Sequence, residues 1–246
     1  MLNSIDTKAH GSLDKGALKK ELKQLNEQLI DYQKKMNAQG KHSLLIIFQG
    51  MDASGKDGAT RRVLEGVNPS GIHVKSFKKP TDEEFAHDFL WRVHQHAPAK
   101  GMIQVFNRSH YEDILVPSVL GYIPKETIEE RYQIINDFEN LLEHNGTKIL
   151  KFFLHVSKEE QLERLQERIE NSEKHYKHKD GDWKTREHWD SYMKVYQSIF
   201  EKCNDIPWHI IPSDQNWYKA NLITKKIIET FESMSLEWPQ LESDKF

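Results

Sequence analysis

Cysteine is nearly absent from the 246-residue chain, where Cys203 stands alone. A single thiol cannot close an internal disulfide, and it excludes any zinc cluster built on several cysteines. That economy fits a reducing compartment. Long apolar runs are missing too: the longest is LLIIF at 44–48, far short of the roughly 20 residues that a membrane helix needs. The opening MLNSIDTKAHGSLDKG has no apolar stretch of the kind that directs secretion, so a cytoplasmic location without membrane contact is expected. An excess of one charge is also lacking. The 35 Lys and Arg face 38 Asp and Glu, a formal net charge of −3. Such a balance argues against a protein that grips polyanions, nucleic acid included, over its whole face. It leaves room for a local basic groove.

What is present suits one medium domain spanning 1–246, able to bury roughly three quarters of its unfolded surface. Leu18, Leu22, Leu25, Leu29, Tyr32 and Met36 recur at steps of four and three, the spacing of one helical face. The spacing predicts an amphipathic helix over 12–38, docked on the domain or on a partner subunit, with Gly40 closing it. Short apolar runs then alternate with helical patterns. Strands are expected at 43–49, 72–77, 102–107, 149–156 and 208–212. Helices are expected at 55–66, 82–96, 109–119, 126–144, 158–171, 185–202 and 216–234. The central strands are apolar at successive positions, as strands buried on both faces must be. Strand–helix alternation of this kind implies an α/β fold, a five-stranded parallel sheet with helices on both faces. The segment 160–206 is a long charged insertion between the last two strands.

The strongest chemical signal is GMDASGKDG at 50–58, directly after a strand and opening a helix. Gly50, four residues, Gly55 and Lys56 match the phosphate-binding loop up to its lysine. Glycines let backbone N–H groups converge on phosphate oxygens, and the helix N-terminus and lysine supply positive charge. Gly50, Ala53, Ser54, Gly55, Lys56, Asp57 and Gly58 are therefore the candidate phosphate-binding residues. Two positions are unusual. Asp57 stands where a magnesium-binding Ser or Thr normally follows the lysine, and Asp52 puts a carboxylate among phosphates. An unbridged carboxylate would repel a phosphate by several kcal/mol. A magnesium ion shared between Asp52 and phosphate oxygens turns repulsion into attraction; the structural alternative is that Asp52 caps the next helix.

The strand ending in QVFN is followed by Arg108 and Ser109, and its last residue is Asn107 where such enzymes usually carry an Asp. Arg108 could clamp a transferring phosphoryl group, or pair with Glu112 or Asp113. Lys78 and Lys79 follow the second strand and should face the ligand crevice, because parallel sheets bind at their carboxyl ends. Arg61 and Arg62 lie in the loop helix, and Arg164, Arg168 and KHYKHK at 174–179 lie in the insertion. The insertion is either a lid that closes on phosphates or a solvated face, since Glu163, Glu167, Glu170 and Glu173 alternate with its cations. Arg92 could reach the site or pair with Asp88. His94 and His96 form no convincing zinc set, and Trp183, Trp189, Trp208 and Trp217 suit packing.

From about residue 40 to 230 the chain resembles the polyphosphate kinase 2 family. The resemblance is carried by GMDASGKDG, SFKKPTDEEFAHDFLWRVHQHAPAKG at 76–101, FNRSHYEDILV at 106–116 and RYQIINDFENLLEHNGTKILKFFLHVSKEEQ at 131–161. REHWDSYMKVY at 186–196 and PWHIIPSDQNWY at 207–218 extend it. Asn107 with Glu112 after the tyrosine resembles the subclass that acts on both AMP and ADP. The resemblance implies a P-loop kinase-like (thymidylate-kinase-like) three-layer fold with a helical lid, and magnesium-assisted transfer of a terminal phosphoryl group from inorganic polyphosphate to AMP and ADP, giving ADP and ATP reversibly. Manganese would be a substitute metal. Asp52, Lys56, Asn107 and Arg108 would be catalytic, with Asp52 the metal ligand. Glu112 and Arg62, with Arg164, Arg168, Lys174, Lys177 and Arg186 of the lid, would face the nucleotide and phosphates. Dimers or tetramers are usual in the family. Pro117, Ser118, HYKH at 175–178 and Asn216 depart from its pattern. The alternatives are an ATP-dependent nucleoside monophosphate kinase and a non-catalytic nucleotide or polyphosphate sensor.

Overall fold

The computed structural model describes residues 2–11, 13–241 and 243. Five strands, β1 (Ser43–Gln49), β2 (Ile72–Ser76), β3 (Ile103–Asn107), β4 (Thr147–His155) and β5 (Trp208–Pro212), form one sheet in the order β2-β3-β1-β4-β5. All pairings are parallel. Every residue of β1 is buried, and its side chains alternate between two cores. Leu44, Ile46 and Phe48 join one cluster, while Leu45 and Ile47 join another. This is the pleat period of two, covered on both faces.

The first face is covered by α1 (Lys15–Gln39), α2 (Lys56–Val63) and α10 (Asn216–Ser233), which contribute Leu29, Met36, Val63, Ile223 and Phe231. Asp14 caps α1 by accepting from the Gly16 amide, and Gly40 ends it in the left-handed region at φ 61°. The predicted apolar face of α1 packs within the chain, where Tyr32 stacks on Phe231 with ring centroids 5.6 Å apart. The second face carries α5 (Glu112–Leu120), α6 (Lys125–His144) and α9 (Trp189–Lys202). Phe138 and Leu142 of α6 pack in the cluster of Leu45 and Ile47, while Ile114, Ile135, Tyr196 and Ile199 form a third cluster with Phe153 of β4.

Two predicted helices are divided. The segment 82–96 becomes α3 (Asp82–Ala86) and α4 (Trp91–His94). Thr81 and Glu84 form a capping box for the first, and the Asp88 carboxylate accepts from the Leu90 and Trp91 amides before the second. An Asx-type turn thus competes with helix continuation. The segment 185–202 lies in α8 (Asp180–Glu187) and α9, separated by His188. Between β4 and β5 come α7 (Lys158–Glu170), a 3-10 turn at Ser172–Lys177, α8 and α9.

Pro117 sits inside α5. Proline lacks the N–H that would bond to the carbonyl four residues back, here that of Asp113. Arg131 of α6 supplies the missing donor, its Nη1 lying 2.5 Å from the Asp113 oxygen. A side chain from the neighbouring helix therefore makes the proline compatible with the fold.

Candidate active site

The loops after β1 and β3 meet because those strands are neighbours, with Phe48 in register with Asn107. In this strand order the chain leaves β1 in one direction and returns on its other side, and a crevice opens at the carboxyl ends. The phosphate loop occupies it. Gly50 at φ 145° and Gly55 at φ 91° take conformations that side chains resist. A Cβ on Gly50 would meet the Leu154 carbonyl at 2.8 Å, so glycine is required sterically as well. Lys56 folds back over the loop, donating to the Gly50 carbonyl at 2.7 Å and that of Met51 at 3.1 Å. Burial, aided by Arg108, pushes its ammonium down to about 8.

Arg108 is the hub of the site. It holds φ 60°, a left-handed conformation costing a non-glycine residue about 1–2 kcal/mol. Its amide donates to the Phe48 carbonyl at 3.0 Å. Its guanidinium pairs with Asp52 and reaches Glu112 at 3.5 Å. Of the two alternatives for Asp52, helix capping is not realised: α2 begins at Lys56, and its cap position, Gly55, has no side-chain cap bond. Glu112 and Asp52 together hold the Arg108 ion above its ordinary range, against the opposing effect of burial. Burial raises Glu112, with Arg108 opposing. Asn107 donates through its amide to Asp57.

A buried polar group fixes the chain just after Arg108. Glu139 accepts from the Tyr111 hydroxyl at 2.8 Å and from Lys151 at 2.7 Å, and lies 3.2 Å from His110. Lys151 also donates to the Tyr111 oxygen and the Cys203 carbonyl, each at 3.0 Å. Burial pushes Glu139 up, but Lys151 and His110 pull it further down, below its ordinary value. Sequence reasoning missed this group, because its members are scattered over four elements.

The remaining predicted residues fall into three settings. Lys78 and Lys79 are exposed beyond the end of β2. Arg62 bonds the Gly58 carbonyl at 3.2 Å within α2. Arg164 bridges the loop to its surroundings, donating to the carbonyls of Ala53, Ser213 and Asp214, each at 2.9 Å. Farther along, Arg168 pairs with Asp182 at 2.6 Å and Lys174 with Glu167. Lys177 lies over the Tyr176 ring at 5.3 Å. Arg186 donates to the Lys158 carbonyl at 2.7 Å and to Gln161 at 2.8 Å. Arg92 neither reaches the phosphate loop nor pairs with Asp88. It is buried, bonds Asp113 and the Lys78 carbonyl at 2.9 Å each, and so ties the β2 loop to α5. Gln161 and Lys219, which the sequence reading passed over, both donate to the phosphate loop, to the carbonyls of Asp52 and Ser54 respectively.

Residues 12–239 match the family described as Polyphosphate kinase 2 (PPK2). The chain belongs to that family. It is 46% identical over 221 residues to the AMP/ADP-polyphosphate phosphotransferase of Meiothermus ruber, covering 89% of this chain and 83% of that protein. It is 41% identical to the ADP-polyphosphate phosphotransferase of Rhodopseudomonas palustris, covering 87% and 79%. Among solved structures, polyphosphate kinase 2 from Arthrobacter aurescens TC1 superposes with a TM-score of 0.96 at 38% identity, covering 99% of this chain and 89% of that one. The parallel sheet of this family member carries Asp52, Lys56, Asn107 and Arg108 together at its carboxyl edge.

Proposed function

We propose that the protein transfers the terminal phosphoryl group of inorganic polyphosphate to AMP and ADP, reversibly. The observation that carries this reading is the convergence of the Asp52 and Glu112 carboxylates on one guanidinium, Arg108, beside Lys56 and the phosphate loop. Phosphoryl transfer needs alignment and charge neutralisation more than covalent help from the protein. A nucleotide phosphate is already ionised near neutral pH, so the acceptor oxygen needs no general base. Lys56 and Arg108 stabilise charge on the transferring group, and the loop amides orient it.

The donor set fits a divalent cation, magnesium or manganese, in one particular way. Among the described residues no three His, Cys, Asp or Glu side chains gather into a cage. Asp52 is a hard oxygen donor at the edge of the phosphate loop, and magnesium is commonly held by one or two carboxylates plus phosphate oxygens. Asp52 would hold the ion, with Glu112 nearby. When bound, the cation would screen donor from acceptor charge. Arg108, which pairs with Asp52 in this structure, would be the guanidinium available to the phosphoryl oxygens.

The lid we propose centres on 171–188, since α7 is fastened to the loop through Gln161 and Arg164 and α9 lies in the core. One assay tests the whole reading: purified protein, magnesium, and AMP or ADP with either long-chain polyphosphate or ATP. ATP formed from polyphosphate and ADP is the expected result. Transfer to AMP from ATP alone would select a monophosphate kinase instead, and binding without turnover a sensor.

A further inference from the structure

A loop that offers its N–H groups to phosphates must keep its carbonyl oxygens occupied elsewhere, because their lone pairs repel an anion. Every carbonyl from Gly50 to Gly55 is occupied. Lys56 holds those of Gly50 and Met51, Gln161 that of Asp52 at 2.9 Å, and Arg164 that of Ala53 at 2.9 Å. Lys219 holds that of Ser54 at 2.8 Å, and the Ala59 amide closes the row on Gly55 at 2.9 Å.

Lys219 is the unexpected member. It is fully buried in α10, makes no ion pair among the described residues, and feels the cations Arg164, Arg62 and Lys56 more strongly than the acid Glu160. An unpaired buried ammonium is expensive, so packing alone gives no reason for a lysine here. Its Nζ lies 2.5 Å from where a Cβ on Gly55 would stand, which places it directly beneath the turn into α2. We propose that Lys219 is a positioning residue for phosphoryl transfer, holding the Ser54 carbonyl so that the following loop amides stay turned toward the substrate phosphates. The role requires no contact between Lys219 and the substrate. The inference rests on the phosphotransferase reading, and it assigns a role to a position where methionine would serve the core better.

The test is Lys219→Met in the full chain, which keeps side-chain length and removes the donor. We expect kcat for transfer from polyphosphate to fall by about tenfold to a hundredfold, as for a modest displacement of aligned groups. KM for both substrates should stay within about threefold, and the thermal midpoint should change little, because losing a buried charge offsets the stranded Ser54 carbonyl. Lys219→Gln retains a donor and should turn over faster than Lys219→Met. Wild-type kcat in Lys219→Met would overturn the proposal. So would a loss of kcat that tracks a lowered midpoint, or Lys219→Gln no faster than Lys219→Met. Failure of the functional reading itself looks different: the unsubstituted chain would show no transfer from polyphosphate.

Discussion

Burial and the nearby Arg108 push Lys56 down to about 8, against 10.5 for a free lysine. The sign has two consequences. Between those values the unfolded chain binds more protons than the folded one, so Lys56 opposes folding below about 8 and that penalty is relieved as pH rises toward 10.5. In the free protein the charge that attracts phosphate is present below about 8 and lost above it. Bound phosphates favour the ammonium and raise its pKa. Accordingly kcat/KM, which reports the free enzyme, should decline above about pH 8, while kcat holds to higher pH. A kcat/KM profile flat well beyond that point would contradict the assignment. Asp52 permits a second test at the same scale. Asp52→Asn keeps a partner for Arg108 but removes the anionic oxygen, and turnover should drop about hundredfold with a higher magnesium requirement. Near-normal turnover at unchanged magnesium dependence would remove Asp52 from the metal site.

Among the elements, the join between α5 and α6 shows how one residue's defect is repaired by another. Pro117 leaves the Asp113 carbonyl without its helical donor, and Arg131 replaces it. Arg131→Met should therefore cost about 1–3 kcal/mol, the penalty of an unsatisfied group in a part-buried setting, read as a lower urea midpoint. If Pro117→Ala is combined with it, the amide returns and much of the loss should be recovered. Additive losses in the pair would mean that Arg131 acts elsewhere. The same elements show what the sequence could and could not disclose. β1 lies at 43–49 as expected, because a strand buried on both faces is apolar nearly throughout, and the partly buried edge strand β5 lies at 208–212, also as expected. The loop at 50–58 was legible because its glycines, lysine and flanking elements are local. Arg92 was not, because its partners Asp113 and Lys78 come from separate elements. Neither was Lys219, whose bond to Ser54 joins residues 165 apart. Periodicity reports which side of an element is buried and is silent on which polar atoms meet there. The broken helix at 82–96 fell between these cases, since the capping residues were visible but their competition with helix propagation was not.

Over the whole molecule, the small net charge of −3 conceals a division. Parallel topology brings the loops after β1, β2 and β3 to one edge of the sheet, and with them Lys56, Lys78, Lys79 and Arg108. Cations farther out are largely spent on acids: Lys174 pairs with Glu167 and Arg168 with Asp182. Lys78 and Lys79 differ, being exposed with no acid bonded to them among the described residues. They have charge to offer a long polyanion without first breaking an internal pair. Exposed charges act through solvent and are screened over about 8–10 Å at physiological ionic strength. Removing both as Lys78→Ala with Lys79→Ala should therefore raise KM for polyphosphate about tenfold and flatten its dependence on salt, with kcat at saturation little changed. Lys174→Ala, which also releases Glu167, should change KM less. Equal effects from the two substitutions, or a salt dependence that survives the loss of Lys78 and Lys79, would place the polyphosphate track away from the end of β2.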